Sequence, residues 1–178
     1  MKVLVTITGA SGLIYANRLI EELKKSNQEV SVIISKGAEK VSEAEKITLP
    51  KSDYSEDDFN SPFASGSNPP DAMIVCPCSL KSLGEISNGV GSNLISRAAE
   101  VCLKERKKLI LVIRETPYSL ITIKNMEKIT LAGGIVLPAS PGFYHSPNKI
   151  EDLVNFIVGK ILDQLGITHS LFKRWGFP

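Results

Sequence analysis

Five short apolar runs, at residues 3–8, 30–34, 72–76, 109–113 and 135–137, constrain this chain more than any other feature. Each stops abruptly at glycine, serine, proline or charge, and helical patterns fill most of the intervals. From 13 to 23 the apolar positions Leu13, Ala16, Leu19, Ile20 and Leu23 share one helical face, and Leu94, Ile95, Ala98, Val101 and Cys102 trace another. Further helices are predicted from 37 to about 47, after Ser79 and Ser92 as caps, from about 120 to 132, and from about 150 to 165, opened by Ser146 and Pro147. This alternation predicts an α/β fold, a mainly parallel sheet with helices on both faces. The run at 109–113 is apolar throughout, as a strand buried on both sides requires. In such a sheet ligands collect at the carboxyl ends of the strands, near the switch point, and chemistry is to be sought there.

Composition narrows the class. A chain of 178 residues, 43% hydrophobic and 22% charged, can bury roughly 70% of its unfolded surface and needs no metal or disulfide staple. Residues 1–178 read as one domain. Within it, 50–70 holds Pro50, Pro62, Pro69, Pro70, Gly66 and the acids Asp53, Glu56, Asp57 and Asp58, and reads as a surface excursion with one short strand or helical turn. Residues 166–178 read as a C-terminal docking tail, with Trp175, the only tryptophan, as its anchor. A net charge of +2 argues against a dedicated nucleic-acid binder. No apolar run approaches the ~18 residues of a membrane span, and no leader pattern precedes the first strand, so a cytoplasmic location is expected. Cys76, Cys78 and Cys102 form neither a disulfide framework nor a zinc pattern and read as small buried apolar residues. His145 and His169 read as structural or solvent-exposed, and no metal-ligand set is visible.

The segments after the strands carry more hydroxyl and charge than turns require. Gly9-Ala10-Ser11-Gly12 opens a helix, so its N–H groups and the helix dipole suit a phosphate, although a plain tight turn has the same sequence. It is not GxGxxG, and Ser35 stands where a dinucleotide site would place an acid. Ser79, Lys81 and Ser82 make a second hydroxyl-rich helix start. Two such loops fit a mononucleotide such as FMN better than a dinucleotide. Arg114-Glu115 leaves a buried strand with Pro117 fixing the loop, which suits either a positioning role or a surface ion pair. Arg97 and Lys104 are seven residues apart and fall within ~20° of one helical face. Glu100 between them also allows a solvated, salt-bridged face.

Taken in order, Gly9-Ala10-Ser11-Gly12 with Tyr15 and Arg18, Ser35-Lys36, Ala64-Ser65-Gly66-Ser67, Cys76-Pro77-Cys78-Ser79-Leu80-Lys81-Ser82, Asn93-Leu94-Ile95 with Arg97, Lys104, Arg114-Glu115-Thr116-Pro117 and Pro141-Gly142-Phe143-Tyr144 resemble the flavin prenyltransferase family of the UbiX type, from Lys2 to Trp175. The resemblance implies a Rossmann-like (flavodoxin-like) flavoprotein that joins a dimethylallyl group from dimethylallyl phosphate to N5 and C6 of reduced FMN, without a metal. The prenylated FMN would serve a partner decarboxylase of the UbiD type. It implies FMN contacts at Gly9, Ala10, Ser11, Ser35, Ser79, Leu80, Lys81, Ser82 and Arg114, and prenyl phosphate contacts at Arg97, Lys104, Arg114, Tyr144 and Lys160. Glu45 and Glu115 match acidic positions of the site and Trp175 an aromatic near the isoprenoid. Lys160 stands where relatives commonly carry arginine, replacing a bidentate fork by a point charge. The resemblance also implies a homo-oligomer, as large as a dodecamer, with sites at subunit contacts.

The alternatives are weaker. A flavin decarboxylase of the cysteine-peptide type needs a base, typically histidine, and none follows directly on the first helix. A short-chain nicotinamide dehydrogenase needs tyrosine followed four residues later by lysine, and Tyr15, Tyr54, Tyr118 and Tyr144 all fail. A non-catalytic FMN carrier could dispense with Glu115, Lys104 and Tyr144, all of which are present.

Overall fold

The structure, a computed structural model, describes residues 1–176; Phe177 and Pro178 of the tail lie outside the described residues. In chain order the elements are β1 (Lys2–Ile7), α1 (Leu13–Lys25), β2 (Glu29–Ile34), α2 (Lys36–Glu45), β3 (Tyr54–Ser55), a 3-10 turn (Pro62–Ala64), β4 (Ala72–Cys78), α3 (Leu80–Ser87), α4 (Leu94–Lys104), β5 (Lys108–Ile113), α5 (Leu120–Leu131), β6 (Ile135–Pro138) and α6 (Ile150–Leu165). The strands form one six-stranded sheet in the order β3-β2-β1-β4-β5-β6. Every pairing is parallel, so the carboxyl ends of all strands share one edge. The chain winds outward from β1 in one direction and resumes at β4 in the other, which puts the switch point between these two strands.

Alternation along the strands builds two cores. Val3, Val5 and Ile7 of β1 face Leu13, Leu19 and Leu23 of α1 and the apolar stripe of α6. Leu4 of β1, Met73 and Val75 of β4, and Leu109, Leu111 and Ile113 of β5 face α3, α4 and α5. The three layers follow from sequence: both faces of the central strands are apolar, so both need helices over them. Deleting one such buried side chain, Leu19→Ala for example, costs about 3 kcal/mol.

Four boundaries and placements differ from the sequence reading. β4 does not stop before Pro77 but continues to Cys78 across a register shift against β5 between Val75 and Cys78, an irregularity that accommodates a residue without an N–H. Asn93, not Ser92, caps α4, its side chain accepting from the Ser96 N–H at 2.9 Å. α6 begins at Ile150 as expected, but Lys149 rather than Ser146 stands at its N-cap, and Asp152 reaches back to accept from the N–H groups of Asn148 and Lys149 at 2.9 and 3.3 Å. The 50–70 excursion is less superficial than its composition indicates. It supplies edge strand β3, and Phe63 is fully buried against Leu4, Ile33 and Ala99 in the second core.

The three thiols are buried. Burial pushes Cys78 and Cys102 up to about 12 and Cys76 higher still, leaving them protonated and inert as the sequence suggests. Among the described residues no helix is long and apolar enough to cross a membrane.

Candidate active site

Thr8, just past β1, fastens the switch point. Its hydroxyl donates to the Pro77 carbonyl at 2.8 Å and accepts from the Ser79 N–H at 2.8 Å. The ends of β1 and β4 are thereby locked, and Ser79 is held where its own hydroxyl caps α3, accepting from the Ser82 N–H at 3.2 Å and donating to the Ser82 hydroxyl at 3.1 Å. Ser35 does the same at α2, accepting from Ala38 N–H at 3.1 Å while 8% exposed. Gly9 is required by close approach: a Cβ there would lie 3.0 Å from the Gly37 backbone, where the turn after β1 passes the first turn of α2.

Two adjoining cavities open on this edge, sharing Gly9, Ser79 and Leu80. The larger, about 670 Å³, is lined by Ser35, Lys36, Lys81, Ser82, Asn93 and others. The smaller, about 450 Å³, adds Ala10, Ser11, Glu45, Arg114 and Glu115. All nine positions matched to FMN line one or both.

The helix-dipole reading of Gly9-Ala10-Ser11-Gly12 needs correction. Glu45, at the end of α2, turns its carboxylate onto the start of α1 and accepts from Gly12 N–H at 2.7 Å and Leu13 N–H at 3.1 Å. Gly12 adopts a left-handed conformation (φ 104°) and offers no side-chain cap, so Glu45 supplies the missing anion. Burial pushes the Glu45 carboxyl up, but the Ser11 hydroxyl, the two N–H groups and the Arg114 charge outweigh it and hold the group below the usual carboxylate range. The first turn of α1 is thus occupied by the protein's own carboxylate. At α2 the Lys36 N–H is likewise taken, donating to Glu56 at 3.0 Å. The first turn of α3 is more open: among the described residues the N–H groups of Leu80 and Lys81 both lack a partner, against Ile14 alone at α1 and Gly37 alone at α2, and Ser79, Lys81 and Ser82 surround them. That is where an anion fits.

Arg114 and Glu115 do not form the surface ion pair weighed from sequence. Arg114 turns toward α1 and donates from Nε to the Ser11 carbonyl at 3.2 Å, while Glu115 accepts from its neighbour Thr116 N–H at 2.9 Å. Both side chains meet Glu45 at the smaller cavity.

The residues matched to the prenyl phosphate are not gathered with Arg114. Arg97 donates from Nε to the Ala64 carbonyl at 3.1 Å and pairs with Glu100 at 2.8 Å, so Glu100 serves Arg97 rather than Lys104. Lys104 pairs with Glu105, beside Gly66. Lys160 stands 3.6 Å from Asp163 on α6, across the sheet from α4. Tyr144 and Trp175 form a third place, a cavity of about 290 Å³ shared with His145 and Arg174, their rings 5.4 Å apart and near perpendicular. Neither strand-end cavity is lined by Arg97, Lys104, Tyr144, Lys160 or Trp175. Within one chain the expected convergence of four cations is absent among the described residues, because α4 and α6 cover opposite faces of the sheet.

Both histidines are packed. His145 stacks on Phe156 at 5.2 Å, and the His169 side chain is 3% exposed, 3.1 Å from Asp163. The sequence assigns no site role to Thr8, nor to the cavity residues Lys36, Glu56, Asp57, Glu85 and Asn93, although Lys36 and Asn93 belong to motifs that carry the resemblance. A lone threonine after a strand carries no spacing signal.

Comparison with known proteins bears on this geometry. The flavoprotein family model matches residues 1–162. The chain is 51% identical to the flavin prenyltransferase UbiX of Methanocaldococcus jannaschii over 183 aligned positions, covering 99% of both. Among solved structures it resembles AnUbiX (PadA1) in complex with FMN and dimethylallyl pyrophosphate, with 39% identity, a TM-score of 0.94 and coverage of 98% of this chain and 97% of that one. It also resembles a dodecameric FMN-dependent UbiX-like decarboxylase from Escherichia coli O157:H7, with 36% identity, a TM-score of 0.92 and coverage of 99% and 100%.

Proposed function

The chain belongs to the flavin prenyltransferase family of the UbiX type, and on that premise we propose that it transfers a dimethylallyl group from dimethylallyl phosphate to N5 and C6 of reduced FMN. The observation that carries the reading is the pair of joined cavities at the switch point. One offers free N–H groups and hydroxyls at the start of α3, and the other brings an arginine and two carboxylates together. A mononucleotide with a phosphate at one end and a reactive ring at the other suits that division.

Reduced FMN, when bound, supplies the nucleophilic N5 and C6. The roles of this chain's residues follow from charge. Leu80 and Lys81 N–H, with the Ser82 hydroxyl, hold the FMN phosphate, while Gly9, Ala10, Ser11, Ser35, Ser79 and Arg114 line the remainder. Breaking the allylic C–O bond leaves the electron pair on the departing phosphate. Arg97, Lys104, Arg114 and Lys160, with the Tyr144 hydroxyl, stabilise that charge. The allylic fragment turns cationic, and the Trp175 face suits it. Bond formation at N5 consumes the allylic charge and releases the N5 proton. Ring closure at C6 then needs a proton added at the remaining double bond and one lost from C6, and the Glu115 carboxyl would carry this transfer, accepting the one and returning the other. Glu45, tied to α1, keeps its charge beside Arg114 and orients the guanidinium.

Because Arg97, Lys104 and Lys160 lie on different faces of one chain, the complete site is assembled from neighbouring copies. Leu120, Ile121, Leu131 and Phe143 are 67%, 74%, 81% and 70% exposed, apolar surface that a second copy would cover. The product serves a decarboxylase of the UbiD type, and the location is cytoplasmic.

The test is anaerobic incubation with reduced FMN and dimethylallyl phosphate, then mass spectrometry of the released flavin. Prenylated FMN is expected. Recovery of unmodified FMN alone, with the monophosphate and the diphosphate donor alike, contradicts catalysis and leaves an FMN carrier.

A further inference from the structure

We propose that Asp163 is a positioning residue: it clamps the segment 169–175 against α6 and thereby sets Trp175 over Tyr144. The proposal rests on the reading of Tyr144, Lys160 and Trp175 as part of the donor site. One carboxylate gathers the contacts. Asp163 Oδ1 accepts from Arg174 Nη2 at 2.6 Å and lies 3.1 Å from His169 Nε2. Its Oδ2 accepts from Arg174 Nη1 at 3.2 Å and lies 3.6 Å from Lys160 Nζ. The arginine thus engages both oxygens, the geometry in which its planar fork holds most firmly. His169 Nδ1 accepts from the Leu171 N–H at 3.3 Å, which leaves the proton of the neutral ring on Nε2, facing Asp163.

A second observation is independent of charge. Gly159 lies four residues before Asp163, on the same side of α6. A Cβ at Gly159 would stand 2.5 Å from a Phe172 ring carbon and 2.6 Å from His169 Cε1. Both rings rest directly on the helix backbone, so the glycine is the seat of the clamp. From there aromatic contacts run outward: Phe172 lies 4.9 Å from Phe156, Phe156 lies 5.6 Å from Tyr144, and Tyr144 lies 5.4 Å from Trp175. Trp175 itself is 76% exposed, so burial does little to hold it. The bidentate pair is made by the residue immediately before it.

Burial pushes the Asp163 carboxyl up, yet the Arg174 fork and His169 outweigh this and keep it below the usual aspartate range. The clamp also bears on Lys160. Arg174 occupies the carboxylate at close range, so the ammonium is held only at 3.6 Å and is 45% exposed, available to a phosphate.

Trp175 is the sole tryptophan, so intrinsic fluorescence reports this segment directly. Asp163→Asn removes the charge, and Gly159→Ala pushes the rings off the helix without altering any charge. Both variants are checked for folding by circular dichroism. Expected in each are a lower fluorescence anisotropy of Trp175, from faster local motion of the segment, and unchanged FMN affinity. The kcat/KM for dimethylallyl phosphate should fall about ten- to a hundredfold, through KM first. Either folded variant with wild-type anisotropy overturns the clamp. A freed Trp175 with unchanged kcat/KM overturns its positioning role. If the wild-type protein yields no prenylated flavin, the underlying function fails instead, and anisotropy still decides for or against the clamp.

Discussion

The groove at the switch point and the cations proposed for the prenyl phosphate are built in opposite ways. In the groove each polar group is fixed by the fold itself. Thr8 joins two strand ends, Ser35 and Ser79 cap the helices they precede, and Glu45 caps a third from a neighbouring element. Arg97, Lys104 and Lys160 instead sit on helix exteriors, each beside an acidic neighbour, on two faces of the sheet. Folding of one chain suffices for the first region. On the proposed function the second acquires a common target only when copies meet, and exposed pairs of this kind contribute about 0–1 kcal/mol to stability. The contrast teaches that stability and activity should separate cleanly on mutation.

The largest effect is expected at Glu115, inside the groove but outside its framework. Glu115→Gln should bind FMN normally and turn over about 10²- to 10⁴-fold more slowly; single-turnover kinetics with mass detection check it, and a wild-type rate removes its proton-transfer role. Arg97→Ala should sharpen the contrast from the other side. We expect kcat/KM for the donor to fall about 10²- to 10³-fold, while urea denaturation shows a change of at most about 1 kcal/mol.

Thr8→Val should show the converse pattern. It strips the Ser79 N–H and the Pro77 carbonyl of a buried partner, at a cost of about 1–3 kcal/mol by denaturation, and weakens FMN binding together with stability. If stability fell without any change in FMN affinity, the lock would be separate from the site. The smallest effect concerns Glu45, whose cap is worth about 1 kcal/mol. Its carboxyl is depressed in the folded state. Its contribution is therefore full above the carboxyl pKa of the unfolded chain and is lost as pH falls through the lower folded value. Glu45→Ala should be less stable near neutrality and lack that component of acid sensitivity, which thermal melts across the acid range would show.

Sequence was a good guide wherever the signal was local. The apolar runs became strands, the periodic stretches helices, and Ser79 a cap, because these depend on neighbours a few residues apart. It was poor wherever the partner was distant. Thr8 and Ser79 are 71 residues apart, and Glu45 reaches Gly12 across 33. The 50–70 segment reads as a surface excursion because nothing local announces that its Phe63 is buried in the core that holds Leu4 and Ile33. The site positions came from resemblance rather than pattern, and their partition between groove and exterior needed the sheet topology.

Mixing two impaired variants tests most directly whether one chain builds the groove and another completes it. Glu115→Gln disables the groove and Lys104→Ala the cation set, and each alone should yield little prenylated FMN. Co-expressed in one assembly, they should recover part of the wild-type yield by mass spectrometry, because some sites then combine an intact groove from one chain with an intact lysine from another. Mixed assemblies no more active than the two variants assayed separately would contradict the account, placing groove and cations of each site on the same chain.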